Sequence, residues 1–214
     1  MSARRGGAIL RLALAAACAT AAVPGGVSAE VKDSGPDGFT LENAGWVPVD
    51  PAAAWATLVD DVGLWWPADH TWGGDATALS IDARAGGCFC EIDGISQAEH
   101  LRVVFVQPGT LLRMSGGLGP LQGLGVHGIL EFRLTPAQRD GRDGTRIVLH
   151  YRAGGYGPED LGAFAPIVDT VQAQQLGGLL TRLGGAAEGA GTSAQPGRPG
   201  RAPAGETAPE RDAP

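Results

Sequence analysis

From Thr77 to Arg152, apolar residues recur at every second position in six successive runs, and nothing else limits the fold of this 214-residue chain so tightly. Side chains of an extended strand point alternately to its two faces, so this period marks strands with one buried face. Leu79 and Ile81 form the first run, Cys88 to Ile92 the second, and Leu101, Val103 and Phe105 the third. A less regular fourth holds Leu111, Leu112 and Met114. Val126, Leu130, Phe132 and Leu134 make the fifth, and Ile147, Leu149 and Tyr151 the sixth. Turn residues separate them: Gly86-Gly87, Asp93-Gly94, Pro108-Gly109 and the polar stretch Asp140 to Gly144. Parallel strands would need helical crossovers, so connections this short predict one meandering antiparallel sheet.

Helical signals flank the sheet. Phe39-Thr40-Leu41 begins an extended segment that runs towards Trp46 and Val47 and is stopped by Pro48 and Pro51. Asp50-Pro51 then reads as a helix cap followed by proline at the first helical position. Trp55, Leu58, Val59 and Val62 share one face of the predicted helix 52–62, and Trp65-Trp66-Pro67 opens a second short turn or helix. After the strands, Pro158 to Leu183 predicts a terminal helix of about 25 residues, roughly 37 Å long. Its apolar positions are Leu161, Phe164, Ile167, Val168, Val171, Leu176, Leu179, Leu180 and Leu183. Gly177-Gly178 costs about 1 kcal/mol per glycine inside a helix, which calls for a packing reason or a bend. The class is therefore α+β, with one antiparallel sheet of about seven strands, two short helices after the first strand and a long C-terminal helix.

The two ends of the chain read differently from its middle. Residues 1–29 carry Arg4 and Arg5, an apolar run from Ala8 to Ala22 and the small residues Val27-Ser28-Ala29, the order of a cleaved secretory signal. The expectation is export to the periplasm or beyond, with a lipid anchor at Cys18 as the lesser alternative. Residues 30–37 read as a short linker, 38–183 as one domain, and 184–214 as a disordered tail. That tail is rich in Gly, Pro and Ala and has no Leu, Ile, Val, Met or aromatic residue. Removing the leader takes away Arg4, Arg5 and Arg11 and no acid, so the formal charge of −7 becomes −10. Such a surface repels phosphate backbones and anionic head groups, which argues against nucleic acid and lipid-surface partners. Cys88 and Cys90 are read as buried free thiols, because alternate positions on a regular strand hold Cβ atoms about 6–7 Å apart, too far for a disulfide. No second Cys pair or close His pair completes a metal site, and no cofactor motif is present.

All five tryptophans (Trp46, Trp55, Trp65, Trp66 and Trp72) fall within 27 residues, so this window seals a core or walls a pocket. The order of elements resembles the START-like superfamily, also called SRPBCC or Bet v 1-like. Four stretches resemble its branch related to the activator of Hsp90 ATPase. They are Pro51-Ala52-Ala53-Ala54-Trp55, Trp65-Trp66-Pro67, Gly86-Gly87-Cys88-Phe89-Cys90-Glu91 and Gly144-Thr145-Arg146-Ile147. That resemblance implies a helix-grip fold, in which the sheet wraps the terminal helix around a cavity for an apolar small molecule such as a lipid or polyketide. It supplies no universal catalytic residues. An exported chain would not meet cytosolic Hsp90.

The expected pocket wall is Trp65, Trp66, His70, Trp72, Phe89, Phe105, Met114, Phe132, Tyr151, Phe164 and Val168. Glu91 shares a strand face with Phe89. In an apolar cavity its pKa would rise and it would act as acid or base; on a solvated face, or in an ion pair, it would be structural. His127 and His150 fall opposite the apolar sets of their strands, outside the core. Gln172 and Gln175 flank the apolar stripe of the terminal helix, either orienting a ligand or marking its edge. Residues 116–125 combine glycines with Leu118, Leu121 and Leu124, the makings of an apolar lid or of a packed turn. Three functions are compatible with these residues: a carrier of a hydrophobic small molecule, a cyclase- or hydratase-type enzyme using Glu91 with Tyr151 or His70, and an interaction module with a collapsed cavity.

Overall fold

A computed structural model describes residues 29–157 and 160–189. Among them nine strands form one curved antiparallel sheet. These are β1 Ala29–Gly35, β2 Gly38–Val47, β3 Leu79–Ile81, β4 Cys88–Asp93, β5 Ser96–Gln107, β6 Leu111–Gly116, β7 His127–Arg139, β8 Arg142–Gly154 and β9 Ala186–Ala187. Their spatial order is β1-β2-β8-β7-β6-β5-β4-β3, and β9 joins β2 at Gly45 and Trp46. The six strands expected from the period of two are β3 to β8, and the segment from Phe39 is β2. The fold is α+β with the long helix after the sheet, a helix-grip arrangement.

Three helices complete it: α1 Pro51–Asp60, α2 Val62–Trp65 and α3 Ala165–Arg182. Asp50 caps α1 as expected, its side chain accepting from the Ala52 and Ala53 N–H groups at 2.9 Å. Such a cap contributes about 1 kcal/mol. Helix α3 is shorter than the apolar pattern suggested, because a 3-10 turn, Leu161–Phe164, precedes it and Pro166 sits in its first turn. It packs on the inner face of the sheet with two close approaches. Leu180 lies against Gly45 of β2, and Gly178 lies against the carbonyl of Trp65, leaving no space for a Cβ at either glycine. Gly178 of the glycine pair in α3 therefore has a packing reason.

Both expected domain boundaries shift. Residues 30–37 are not a linker, since β1 pairs with β2 from Ala29 opposite Asn43 to Gly35 opposite Gly38. The expected tail begins in order: β9 extends the sheet, and Glu188 takes a bidentate pair from Arg146 at 2.8 and 2.9 Å. Edge pairing needs only backbone groups, so an apolar count misses it. Residues 1–28 of the expected signal peptide 1–29, and residues 190–214 of the expected tail, lie outside the described residues.

Strand β5 departs from simple alternation twice. Its register slips between the partners of Phe89 and Cys90, leaving His100 as an extra residue. It slips again between Val103 and Phe105, leaving Val104 extra. Each extra residue reverses the sidedness of the strand beyond it.

Candidate ligand site

The concave face collects the in-pointing residues of the central strands. Phe89, Leu101, Met114, Leu130, Phe132, Leu149 and Tyr151 are each at most 1% exposed. Trp65 and Trp66, carried by α2 and the residue after it, close over them. Trp65 meets Phe132 edge-on at 6.3 Å, Trp66 meets Phe89 at 5.1 Å, and the two indoles lie 5.4 Å apart. Their N–H groups donate to backbone carbonyls, Trp65 to Thr57 at 3.0 Å and Trp66 to His70 at 3.2 Å. Six expected wall residues (Trp65, Trp66, Phe89, Met114, Phe132 and Tyr151) thus meet in one apolar cluster, with Phe164 and Val168 half-buried at its edge.

The others go elsewhere. Phe105 is 42% exposed on the outer face, under the Arg113 guanidinium, because the Val104 bulge turned it over. Trp72 is 61% exposed, and His70 is half-buried on the 3-10 turn Ala68–His70. His127 and His150 lie outside the core as expected, the former bonded to Ser115 at 2.8 Å. Segment 116–125 is a packed turn that seats Leu118 and Leu121 in the core.

Glu91 faces inward beside Phe89 and is held there by three donors. One oxygen accepts the Gly73 N–H at 2.8 Å, and the other accepts the Trp72 N–H and His100 Nε2, both at 3.0 Å. Burial pushes the Glu91 pKa up, yet these donors together outweigh it and hold the carboxyl below its ordinary value. Of the two readings of Glu91, the structural one, a carboxylate held by its partners, matches this setting, and the raised pKa does not. Glu91 is an ionised anchor for the loop at 72–73. A pocket of about 310 Å³ opens beside it, lined by Trp72, Gly73, Glu91, Asp93, Ser96, Gln97 and Ala98. A second, of about 650 Å³, runs along the β1–β2 turn and the ends of β7 and β8. Neither is lined by α3.

Cys88 and Cys90 are joined by a disulfide, with Cα atoms 5.4 Å apart, which corrects the expectation of free thiols. The physical reason is the bulge opposite them, where the strand pair leaves the regular pleat on which that expectation rests.

The most unusual chemistry lies where α3 meets β2. The buried face of α3 is Ala165, Asp169, Gln172, Ala173, Gln175, Leu176, Leu179 and Leu180, whereas Ile167 is 63% exposed. Its N-terminal half thus turns polar residues to the sheet. Asn43, in-pointing on β2 and 0% exposed, donates to Asp169 at 3.0 Å. Burial pushes the Asp169 pKa up and the Glu30 charge adds to this, while bonds from Asn43 and the Glu30 backbone offset part of the rise. Gln172 is 0% exposed, and neither its Oε1 nor its Nε2 has a partner among the described residues. The same holds for Asn43 Oδ1, Gln175 Oε1 and the Tyr151 hydroxyl, which lies beside the Leu118 backbone without a sound hydrogen bond. Burial pushes the Tyr151 pKa up to about 12, so the phenol stays protonated. Buried polar groups normally find partners, and each left without one costs about 1–3 kcal/mol. Asn43, Asp169 and His100 were not among the sequence candidates. Asn43 was legible as the polar member of the in-pointing set Phe39, Leu41, Asn43, Gly45 and Val47; His100 was hidden by its bulge.

No family model matches the chain, and no curated protein matches it in sequence. Solved structures do resemble it. A protein of Rhizobium leguminosarum is 16% identical, with 74% of this chain and 97% of that chain covered and a TM-score of 0.49. A protein of Rhodobacter sphaeroides is also 16% identical, covering 72% and 97% at 0.48. CalU16 from Micromonospora echinospora is 16% identical, covering 71% and 81% at 0.44.

Proposed function

We propose that the chain is an exported START-like carrier that holds a largely apolar small molecule between the concave sheet and α3. The observation that carries this reading is Gln172, a fully buried amide whose donor and acceptor both lack partners on the sheet-facing side of α3. Gln175 on the same buried face of α3, and Asn43 and Tyr151 on the inner face of the sheet, each present another unpartnered atom. A small-molecule site consists mostly of apolar wall with a few polar groups that orient the guest, and the aromatic cluster and the buried amides supply residues of both kinds. The polar face of α3 is also a weak seam. Leu176, Leu179 and Leu180 fix the C-terminal half of the helix to the core, while the N-terminal half meets the sheet through amides. Lifting that half hydrates the amides and opens the aromatic cluster, which gives a guest its way in.

Carriage fits better than catalysis. Glu91 is already held by three donors and has no proton to give at neutral pH.

The test is native mass spectrometry of protein purified from its own envelope fraction, followed by organic extraction. A carrier shows a mass excess that extraction removes. Gln172→Met, which keeps the length of the side chain without its polar atoms, should retain the fold and lower the occupied fraction. Equal occupancy in both proteins would remove Gln172 from the site.

A further inference from the structure

The polar atoms around Gln172 also select a head group, an inference that rests on the carrier reading. Three of the unpartnered atoms are acceptor oxygens: Asn43 Oδ1, Gln172 Oε1 and Gln175 Oε1. Gln172 Nε2 and the Tyr151 hydroxyl are the donors. The three amides are grouped by the fold. Asn43 is bonded to Asp169, Gln172 lies three residues further along the same helix face, and Gln175 three beyond that. Tyr151 pairs with Leu41, two residues from Asn43 on the same face of the sheet.

The buried charge in this set is of one sign. Asp169 is the ionisable group of this set, and no Lys or Arg is buried among the described residues. The one buried histidine, His100, is engaged with Glu91 on the far strands β4 and β5. A carboxylate or phosphate head placed here would lose its water without gaining a cation and would face the Asp169 carboxyl. Burying an unpaired charge costs several kcal/mol. A hydroxyl or primary amide instead offers an O–H or N–H to the free acceptors and a lone pair to Gln172 Nε2 or Tyr151.

We infer that this interior site takes a long-chain or polycyclic molecule with an un-ionised, hydrogen-bond-donating head, an alcohol or amide, and discriminates against fatty acids and phospholipids.

The experiment compares dodecan-1-ol, dodecanamide and dodecanoate at pH 8 by competition against a bound fluorescent apolar probe. All three carry the same chain, so the head decides. The alcohol and amide are expected to bind at least about tenfold more tightly than dodecanoate, one ordinary hydrogen-bond increment or more. Gln172→Met should shrink that ratio at least about threefold by weakening the alcohol and amide, with dodecanoate little changed. Equal binding of the three, or tighter dodecanoate, overturns the head-group inference and leaves the carrier standing. Failure of every chain and of the probe to bind overturns the carrier reading itself.

Discussion

His100 Nε2 lies 3.0 Å from Glu91 Oε2 inside the sheet because β5 holds one residue more than its partner strand at that point. Without the bulge, alternation would set His100 and Leu101 on opposite faces; with it, both are buried. The same irregularity lies opposite the Cys88–Cys90 disulfide, so one extra residue shapes two features.

Glu91→Gln tests the anchor. The carboxylate accepts three hydrogen bonds, and an amide replaces one of its oxygens by a donor facing donors. A loss of about 1–3 kcal/mol is expected in urea denaturation at pH 7. The folded pKa of Glu91 is depressed, so its contribution is complete above the ordinary carboxylate range and is lost as pH falls through the folded value. The gap between wild type and variant should therefore narrow in acid. A gap that widens in acid would contradict the assignment.

Alkylation reads the cysteines. Iodoacetamide under denaturing, non-reducing conditions should leave Cys88 and Cys90 unmodified, and prior reduction should expose both. Their replacement by serine should cost about 1–2 kcal/mol, in keeping with a very short loop. Modification of both without reduction would restore the free-thiol expectation.

Gly178→Ala separates helix propensity from packing. Propensity alone predicts a gain of about 1 kcal/mol. The Trp65 carbonyl occupies the space a Cβ would need, so a loss of about 1–3 kcal/mol is expected instead, seen as a lower thermal midpoint. A stabilised variant would show that α3 and α2 pack less closely than described.

Phe132→Ala and Phe105→Ala contrast the two faces of the sheet. Phe132 is 1% exposed beneath Trp65, and its truncation should cost about 3–5 kcal/mol. Phe105 is 42% exposed, and its truncation should cost less than about 1 kcal/mol. Equal losses would place Phe105 in the core, as plain alternation expects.

Much of the architecture was legible because it depends on local patterns. The alternation of β3 to β8, the cap at Asp50 and the inward placement of Trp65, Trp66, Phe89, Phe132 and Tyr151 all derive from spacing and side-chain chemistry. The features that escaped depend on partners distant in sequence. Strands β1 and β9 exist through backbone pairing with β2, and Phe105 and His100 are placed by bulges that alternation cannot register. The buried face of α3 escaped for a related reason. Its apolar count favoured Ile167 and Val168, but the bond from Asn43 to Asp169 and the seat of Leu180 on Gly45 set the helix rotation. Gln172 and Gln175, expected at the stripe's edge or on a ligand, are buried by that rotation.

The proposed carrier function stands or falls on whether Gln172 and the buried amides near it hold a guest between α3 and the sheet. Native mass spectrometry of protein purified from its native source, before and after organic extraction, decides this. A discrete mass excess of one small molecule is expected, lost on extraction and reduced in Gln172→Met. The bare polypeptide mass in every native preparation, together with no uptake of an apolar probe by the extracted protein, would contradict it.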